Sequence, residues 1–160
     1  MKTNHKIFKQ SSTIPASAEE VYAWHTDPNA LLKLTPPWID CRVSAAREGI
    51  HDGNRVLLKI RRGPIRLDWL AEQCNVEVSR RFDDVQVYGP FGFWHHTHRF
   101  IPLDANHSLL EDTIEYDMKL KQLLNPLAGV LVEPDLVRLF AFRHATTIAH
   151  FETRQKSFSK

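Results

Sequence analysis

Between Trp38 and Met118 the chain presents one short strand pattern after another, and beyond Pro134 it presents a single long helix. Asp52-Gly53 separates the runs 38–48 and 54–62, and Gly63-Pro64 precedes 65–78. The run 81–88 leads into Gly89-Pro90, and 93–103 turns over Asp104-Ala105-Asn106 into 107–118. Closely spaced strands joined by such turns predict an antiparallel meander. Upstream, 5–14 alternates loosely and predicts a first strand that Pro15 ends. Ser17 then predicts a helix N-cap, with Glu20 completing a capping box. Pro28 and Pro36-Pro37 stop two short helices, the second over 29–34. From 134 to about 154 the period becomes 3.6, and Leu136, Phe140, His144, Thr147, Ile148 and Phe151 share one face. Pro134 suits a first helical turn, and Asp135 suits the positive end of the helix dipole. The predicted order is strand, two short helices, six strands, long helix. A helix of about 20 residues, roughly 30 Å long, covers only part of one face of a seven-stranded sheet. A curved antiparallel sheet wrapped around that helix, an α+β arrangement, is the economical solution, and it leaves a cavity between the two.

A chain of 160 residues with 42% hydrophobic and 25% charged residues fits one domain, 1–160, whose core needs no cross-links. The net charge is +2 and the Lys and Arg residues are scattered, so no nucleic-acid partner is expected. Cys41 and Cys74 belong to no CxxC pair and read as small core residues. MKTNHKIFKQ lacks the apolar stretch of a signal peptide, and the longest wholly apolar run, 127–132, is far short of the about 20 residues a membrane span needs. A cytoplasmic protein without an integral membrane segment is expected.

Residues 89–100, GPFGFWHHTHRF, bring three histidines together. Strand alternation puts Trp94, His96, His98 and Phe100 on one face and Phe93, His95, Thr97 and Arg99 on the other. The first set is assigned to the concave face and His95 to solvent. On the next strand Leu110, Asp112, Ile114 and Tyr116 form the apolar set. A hairpin centred near 105 places His98 opposite Asp112 and Trp94 opposite Tyr116. One centred near 91 places His98 opposite Asp84 and His96 opposite Gln86. A histidine between two aspartates should hold its proton to a higher pH than free imidazole. Three roles stay open for this group: a structural network, a polar anchor for a ligand, or a catalytic His–Asp pair with His98 as general acid/base. His96-x-His98 is a usable chelate with Asp112 as a third ligand. Without HExxH or a cysteine pair, and with large aromatics on either side, an organic ligand is the stronger reading, and no metal or cofactor is expected.

The stretches IPASAEEVYAWHTDPNALLKLTPPW, DVQVYGPFGFWHHTHRF, LLEDTIEYDMKL and FAFRHATT resemble the START-like (SRPBCC) superfamily, in its polyketide cyclase/lipid-transport and coenzyme Q-binding-like branch. The likeness runs from about residue 5 to 152. It implies the helix-grip fold, a seven-stranded curved sheet around a long C-terminal helix, and a cavity for a hydrophobic ligand. It transfers no catalytic residues. Function varies widely on this fold.

The leading expectation is therefore binding, in transport or sensing, of a small hydrophobic molecule that is lipid-, quinone- or polyketide-like. Trp69, Trp94, Tyr116, Phe140 and Ile148 would supply apolar walls, and Gln86, His96, His98, Asp112 and His144 would orient a polar group. The alternatives are a cyclase, dehydratase or hydrolase using His98 with an aspartate, and an interaction module using the apolar segment 119–133. The same segment also reads as packing under the long helix, or as a flap over the cavity mouth with Gly129 as its hinge. Glu72 meets Gln86 if it points inward and is unremarkable if outward. His25 is a lesser candidate for the pocket. Arg143 and Arg154 read as surface arginines with apolar stems. Leu139 and Phe142, on the other side of the last helix, suggest a self-association surface and hence a homodimer.

Overall fold

A computed structural model describes residues 5–27, 29–45, 49–118 and 132–158. Seven strands, β1 (Lys6–Ile14), β2 (Asp40–Ala45), β3 (Arg55–Arg62), β4 (Ile65–Glu77), β5 (Arg81–Tyr88), β6 (Phe91–Pro102) and β7 (Ser108–Met118), form one antiparallel sheet in the order β1-β7-β6-β5-β4-β3-β2. Helices α1 (Ala18–His25) and α2 (Ala30–Lys33) follow β1, and α3 (Val132–Phe158) closes the chain. This is the helix-grip architecture: the curved sheet holds α3 on its inner face. The segment 119–131, which contains the expected flap and Gly129, lies outside the described residues, as do 46–48 of the predicted second strand.

Local chemistry explains the element ends. The Ser17 hydroxyl accepts from the Glu20 backbone N–H at 3.3 Å, and Glu20 accepts from the Ser17 N–H at 3.1 Å, so the capping box is closed. Gly53 has φ +80°, which a side chain would resist, and it turns the chain into β3. Helix α3 runs for 27 residues, longer than its apolar stripe requires. Its side chains Leu136, Phe140, His144, Thr147 and Phe151 are buried, as the 3.6 period predicts.

The core has two apolar clusters. One gathers Ile14, Val21, Tyr22, Trp24, Phe82, Phe100, Leu110 and Phe151, with Ile148 packed against it. The other gathers Phe8, Phe91, Trp94, Ile114, Tyr116, Leu136 and Phe140, with Trp69 and Leu139 alongside. Phe142 meets the edge of the Trp38 ring at 5.4 Å. Leu139 and Phe142 thus have partners within the chain and stay partly exposed beside Trp38. Arg143 is also no free surface arginine. It is partly buried, its Nε donates to the Leu34 carbonyl at 3.2 Å, and its guanidinium lies 5.2 Å from the Phe140 ring centre.

Candidate functional site

The polar residues of the inner face fall between the two apolar clusters. Along β6 the inward order is Trp94, His96, His98, Phe100, and along β7 it is Tyr116, Ile114, Asp112, Leu110. On β6 the ends belong to the clusters and the middle is polar, and on β7 Asp112 is the polar residue between Ile114 and Leu110. Helix α3 repeats the pattern, with His144 between Phe140 and Phe151. The β6–β7 register is the expected one, with His98 opposite Asp112 and Trp94 opposite Tyr116.

The β5–β6 register differs. His96, not His98, lies opposite Asp84, and Phe82 lies opposite His98. The connection is the tight Gly89-Pro90 turn rather than a wider loop, because β5 ends at Tyr88 and β6 starts at Phe91. The slip is even, so every side chain keeps its face. Gln86 is the residue that this displaces. Its amide donates to the Phe91 carbonyl at 3.0 Å and accepts from the Phe91 N–H at 3.2 Å, so it ties the turn instead of meeting His96. Gly89 lies beneath that amide, where a Cβ would collide with the Gln86 side chain.

Asp112 is the hub. Its Oδ1 accepts from His96 Nε2 at 2.7 Å and its Oδ2 from His144 Nε2 at 2.8 Å. His98 Nδ1 lies 2.8 Å from Oδ1, but the two are poorly aligned, so the contact is an ion contact without a directed hydrogen bond. The second nitrogen of His98, Nε2, is 3.2 Å from Asp84 Oδ2. His144 Nδ1 lies 2.9 Å from the Ser12 hydroxyl on β1. Ser12 is a member of the site that the loose alternation of β1 does not reveal. The His96 and His98 side chains are 5% and 11% exposed, Asp112 is 5% exposed, and Asp84 at 25% is the most open of the group. The two imidazoles lie 3.8 Å apart, His98 stacks on Phe82 at 4.2 Å, and Phe140 stands edge-on to His96 at 5.2 Å.

Charge follows from this packing. Burial opposes a charge on His98, but Asp112 and then Asp84 outweigh it and lift its pKa to about 9. Burial and the neighbouring His98 charge lower His96 to about 4, although Asp112 pulls the other way. Burial would raise the Asp112 carboxyl, yet His98 and the bonds from His144 and His96 hold it well below the usual carboxylate range. His25 stands at the edge of the group, 5.2 Å from Phe100. Its Nδ1 donates to the Val21 carbonyl at 2.8 Å, and burial lowers it to about 4.

The remaining candidates sort by face. Trp69 meets the edge of Trp94 at 4.9 Å, so Trp69, Trp94, Tyr116 and Phe140 share one apolar wall, whereas Ile148 belongs to the opposite cluster. Glu72 points outward, where its carboxylate pairs with Arg55 at 2.7 Å. His95 is on the outer face as alternation requires, but it is not a solvated residue. Its side chain is 28% exposed, its Nε2 donates to Asp83 at 2.8 Å, and Asp83, fully buried, also accepts from Arg81 and Asn75. This second network depends on Asn75 at φ +52° in a β4 irregularity, which alternation alone does not signal.

Comparison with known proteins agrees with this architecture. Residues 14–140 match the family described as polyketide cyclase / dehydrase and lipid transport, and the chain belongs to that family. Among solved structures, a START superfamily protein from Mycobacterium smegmatis is 16% identical with a TM-score of 0.68, covering 94% of this chain and 99% of its own. The Zhui aromatase/cyclase from Streptomyces sp. R1128 is 15% identical with a TM-score of 0.73, over 94% and 96% of the two chains. Norcoclaurine synthase from Thalictrum flavum, as a point mutant, is 13% identical with a TM-score of 0.70, over 97% and 99%. At these identities the likeness is one of fold. No curated protein sequence matches. Among the described residues no helix is long and apolar enough to cross a membrane.

Proposed function

We propose that residues 1–160 act as one domain that binds a small hydrophobic or amphipathic molecule, lipid-, quinone- or polyketide-like, between the sheet and α3. The observation that carries this is the buried group of Asp112 with three histidines, set between two aromatic-rich clusters. A buried ionic network is seldom the most stable way to fill a core, because apolar residues of similar volume often do as well or better. Its cost is reasonable where the polar groups also orient a ligand. On this reading Trp69, Trp94, Tyr116 and Phe140 contact one apolar part of the molecule and Ile148 another. His96, His98, Asp112 and His144 meet its polar group. Gln86 has no part in it, since its amide serves the β5–β6 turn. The description of the family, polyketide cyclase / dehydrase and lipid transport, supports a ligand of this kind.

Native mass spectrometry of freshly purified protein, followed by extraction, tests the proposal. The expected result is one hydrophobic small molecule per chain, displaced by a fluorescent anilinonaphthalene probe that binds saturably. Ile148→Trp, which adds bulk beside the network, should weaken the probe about tenfold, or about 1.4 kcal/mol. Recovery of a chemically altered molecule after incubation would support cyclase- or dehydratase-type turnover instead. A chain that carries nothing and binds no probe saturably would overturn the proposal.

A further inference from the structure

One oxygen of Asp84 and one nitrogen each of His96 and His98 lie within 4.8 Å of one another. Asp84 Oδ2 and His98 Nε2 are already 3.2 Å apart, close to the edge length between two donors on one small cation. The orientation of the rings adds to this. His96 turns Nε2, and His98 turns Nδ1, toward the same oxygen of Asp112, at 2.7 and 2.8 Å. Each ring therefore has one nitrogen facing Asp112 and a second on its other side, which in His98 meets Asp84. A histidine that binds a metal is commonly held with its far N–H on a carboxylate that fixes the tautomer and the plane of the ring, as Asp112 does for His96. His144 and Ser12 in turn brace the other oxygen of Asp112, through bonds of 2.8 and 2.9 Å.

Charge balance points the same way. Asp84 and Asp112 bring two negative charges into a largely buried site. Among the described residues, no Lys or Arg forms an ion pair with either carboxylate. Arg143, the arginine of the neighbouring helix turn, is bonded to the Leu34 carbonyl and acts on the two carboxylates through its charge without touching them. Among the described residues only imidazoles are bonded to the two carboxylates, and a divalent cation would take the place of the His98 proton that faces them. Asp84, 25% exposed, provides the way in from solvent.

We propose that Asp84, His96 and His98 bind a divalent transition metal of the zinc class, with Asp112 holding both imidazoles from behind. Two imidazoles and one carboxylate without sulfur suit zinc, cobalt or nickel better than magnesium or calcium. Three protein donors leave a fourth position for water or for an oxygen of a bound molecule. The site shares side chains with the ligand-binding reading but does not rest on it.

The test uses the tag-free full chain, stripped with a chelator and dialysed, then titrated with cobalt(II) and with zinc(II). One cobalt per chain is expected, with the intense visible bands of a four-coordinate site, displaced by one equivalent of zinc. Asp84→Asn and His98→Gln should abolish the bands, while His95→Gln, on the same strand but the opposite face, should keep them. Asp112→Asn should lower affinity by about 10–100-fold and leave the stoichiometry at one. Wild-type protein without cobalt bands overturns the proposal whatever the variants do. So does binding that Asp84→Asn and His98→Gln, shown by circular dichroism to be folded, leave unchanged. The anilinonaphthalene probe, added to the stripped chain, separates the two readings. Saturable probe binding with no cobalt site removes the metal alone, and a cobalt site with no probe binding removes the organic ligand alone.

Discussion

At the scale of single residues, Asp83 and His95 teach most about the limits of strand alternation. Alternation places His95 on the outer face correctly, and a residue there would ordinarily tolerate truncation. The outer face is not uniformly wet, however. Asp83 is fully buried beneath Arg81, Asn75 and His95. His95→Ala should therefore cost about 1.5 kcal/mol in urea denaturation, as expected for the loss of a hydrogen bond to a charged group. Burial would raise the Asp83 carboxyl, but the bonds from Arg81, Asn75 and His95 override it and hold the group far below its ordinary value. A depressed folded pKa contributes stability above the unfolded value of about 3.9, and that stability is lost as pH falls further. Asp83→Asn should accordingly be less stable than wild type at pH 7, with the gap closing as both are taken below about pH 4. Paired denaturation curves at the two pH values check this. A gap that stays constant would mean that charge is not what holds Asp83. None of this is legible in the sequence, because Asn75 reaches Asp83 only through a left-handed residue in an irregular stretch of β4.

At the scale of elements, the sequence is far more informative, since starts and stops are local chemistry. The capping box, the Pro36-Pro37 stop and the turns at Gly53, Gly63 and Gly89 lie where the residue types put them. Ser17→Ala should cost about 1 kcal/mol of stability, and Ser17→Asp much less, because aspartate can also cap. Thermal melts of both variants measure the difference, and equal losses would show that the hydroxyl is not acting as the cap. The β6–β7 hairpin could be registered from its turn, and its pairing put His98 and Asp112 together. The β5–β6 hairpin was harder. Gly89-Pro90 marks the turn without fixing its length, and the bond from Gln86 to Phe91 that tightens it spans five residues. The even slip preserved the faces, so Asp84 still joined the site, though from a diagonal position. Arg143 shows the opposite failure. Its place at the edge of a helical stripe suggests a surface residue, and only the tertiary position of α2 gives it the Leu34 carbonyl.

At the scale of the whole molecule, α3 joins two apolar clusters across a polar centre, and Phe140 lies where cluster and centre meet. It packs 5.4 Å from Phe8 and 5.2 Å from His96. Phe140→Ala should destabilise the fold by about 3–5 kcal/mol, the usual cost of removing a buried phenylalanine. Urea denaturation would read this, and a loss below about 1 kcal/mol would mean that the helix can settle into the space. The layering of strands and helix was legible because the period changes from two to 3.6 along the chain. The joining of Ser12 to His144 was not, because it depends on where the first strand ends up. That strand has a further consequence. β1 pairs with β7 along its whole length, Lys6 with Tyr116 through to Ile14 with Ser108, and among the described residues β7 is its sole neighbour in the sheet. During synthesis on the ribosome, the first strand leaves the exit tunnel long before its partner has been made. β2 to β7 can zip together in sequence, hairpin by hairpin, while β1 waits with Phe8 and Ile14 uncovered. The closing of the sheet is thus a late, long-range event, and such pairings slow folding. Until it happens, the outer edge of β7 stays open to any other strand that reaches it first.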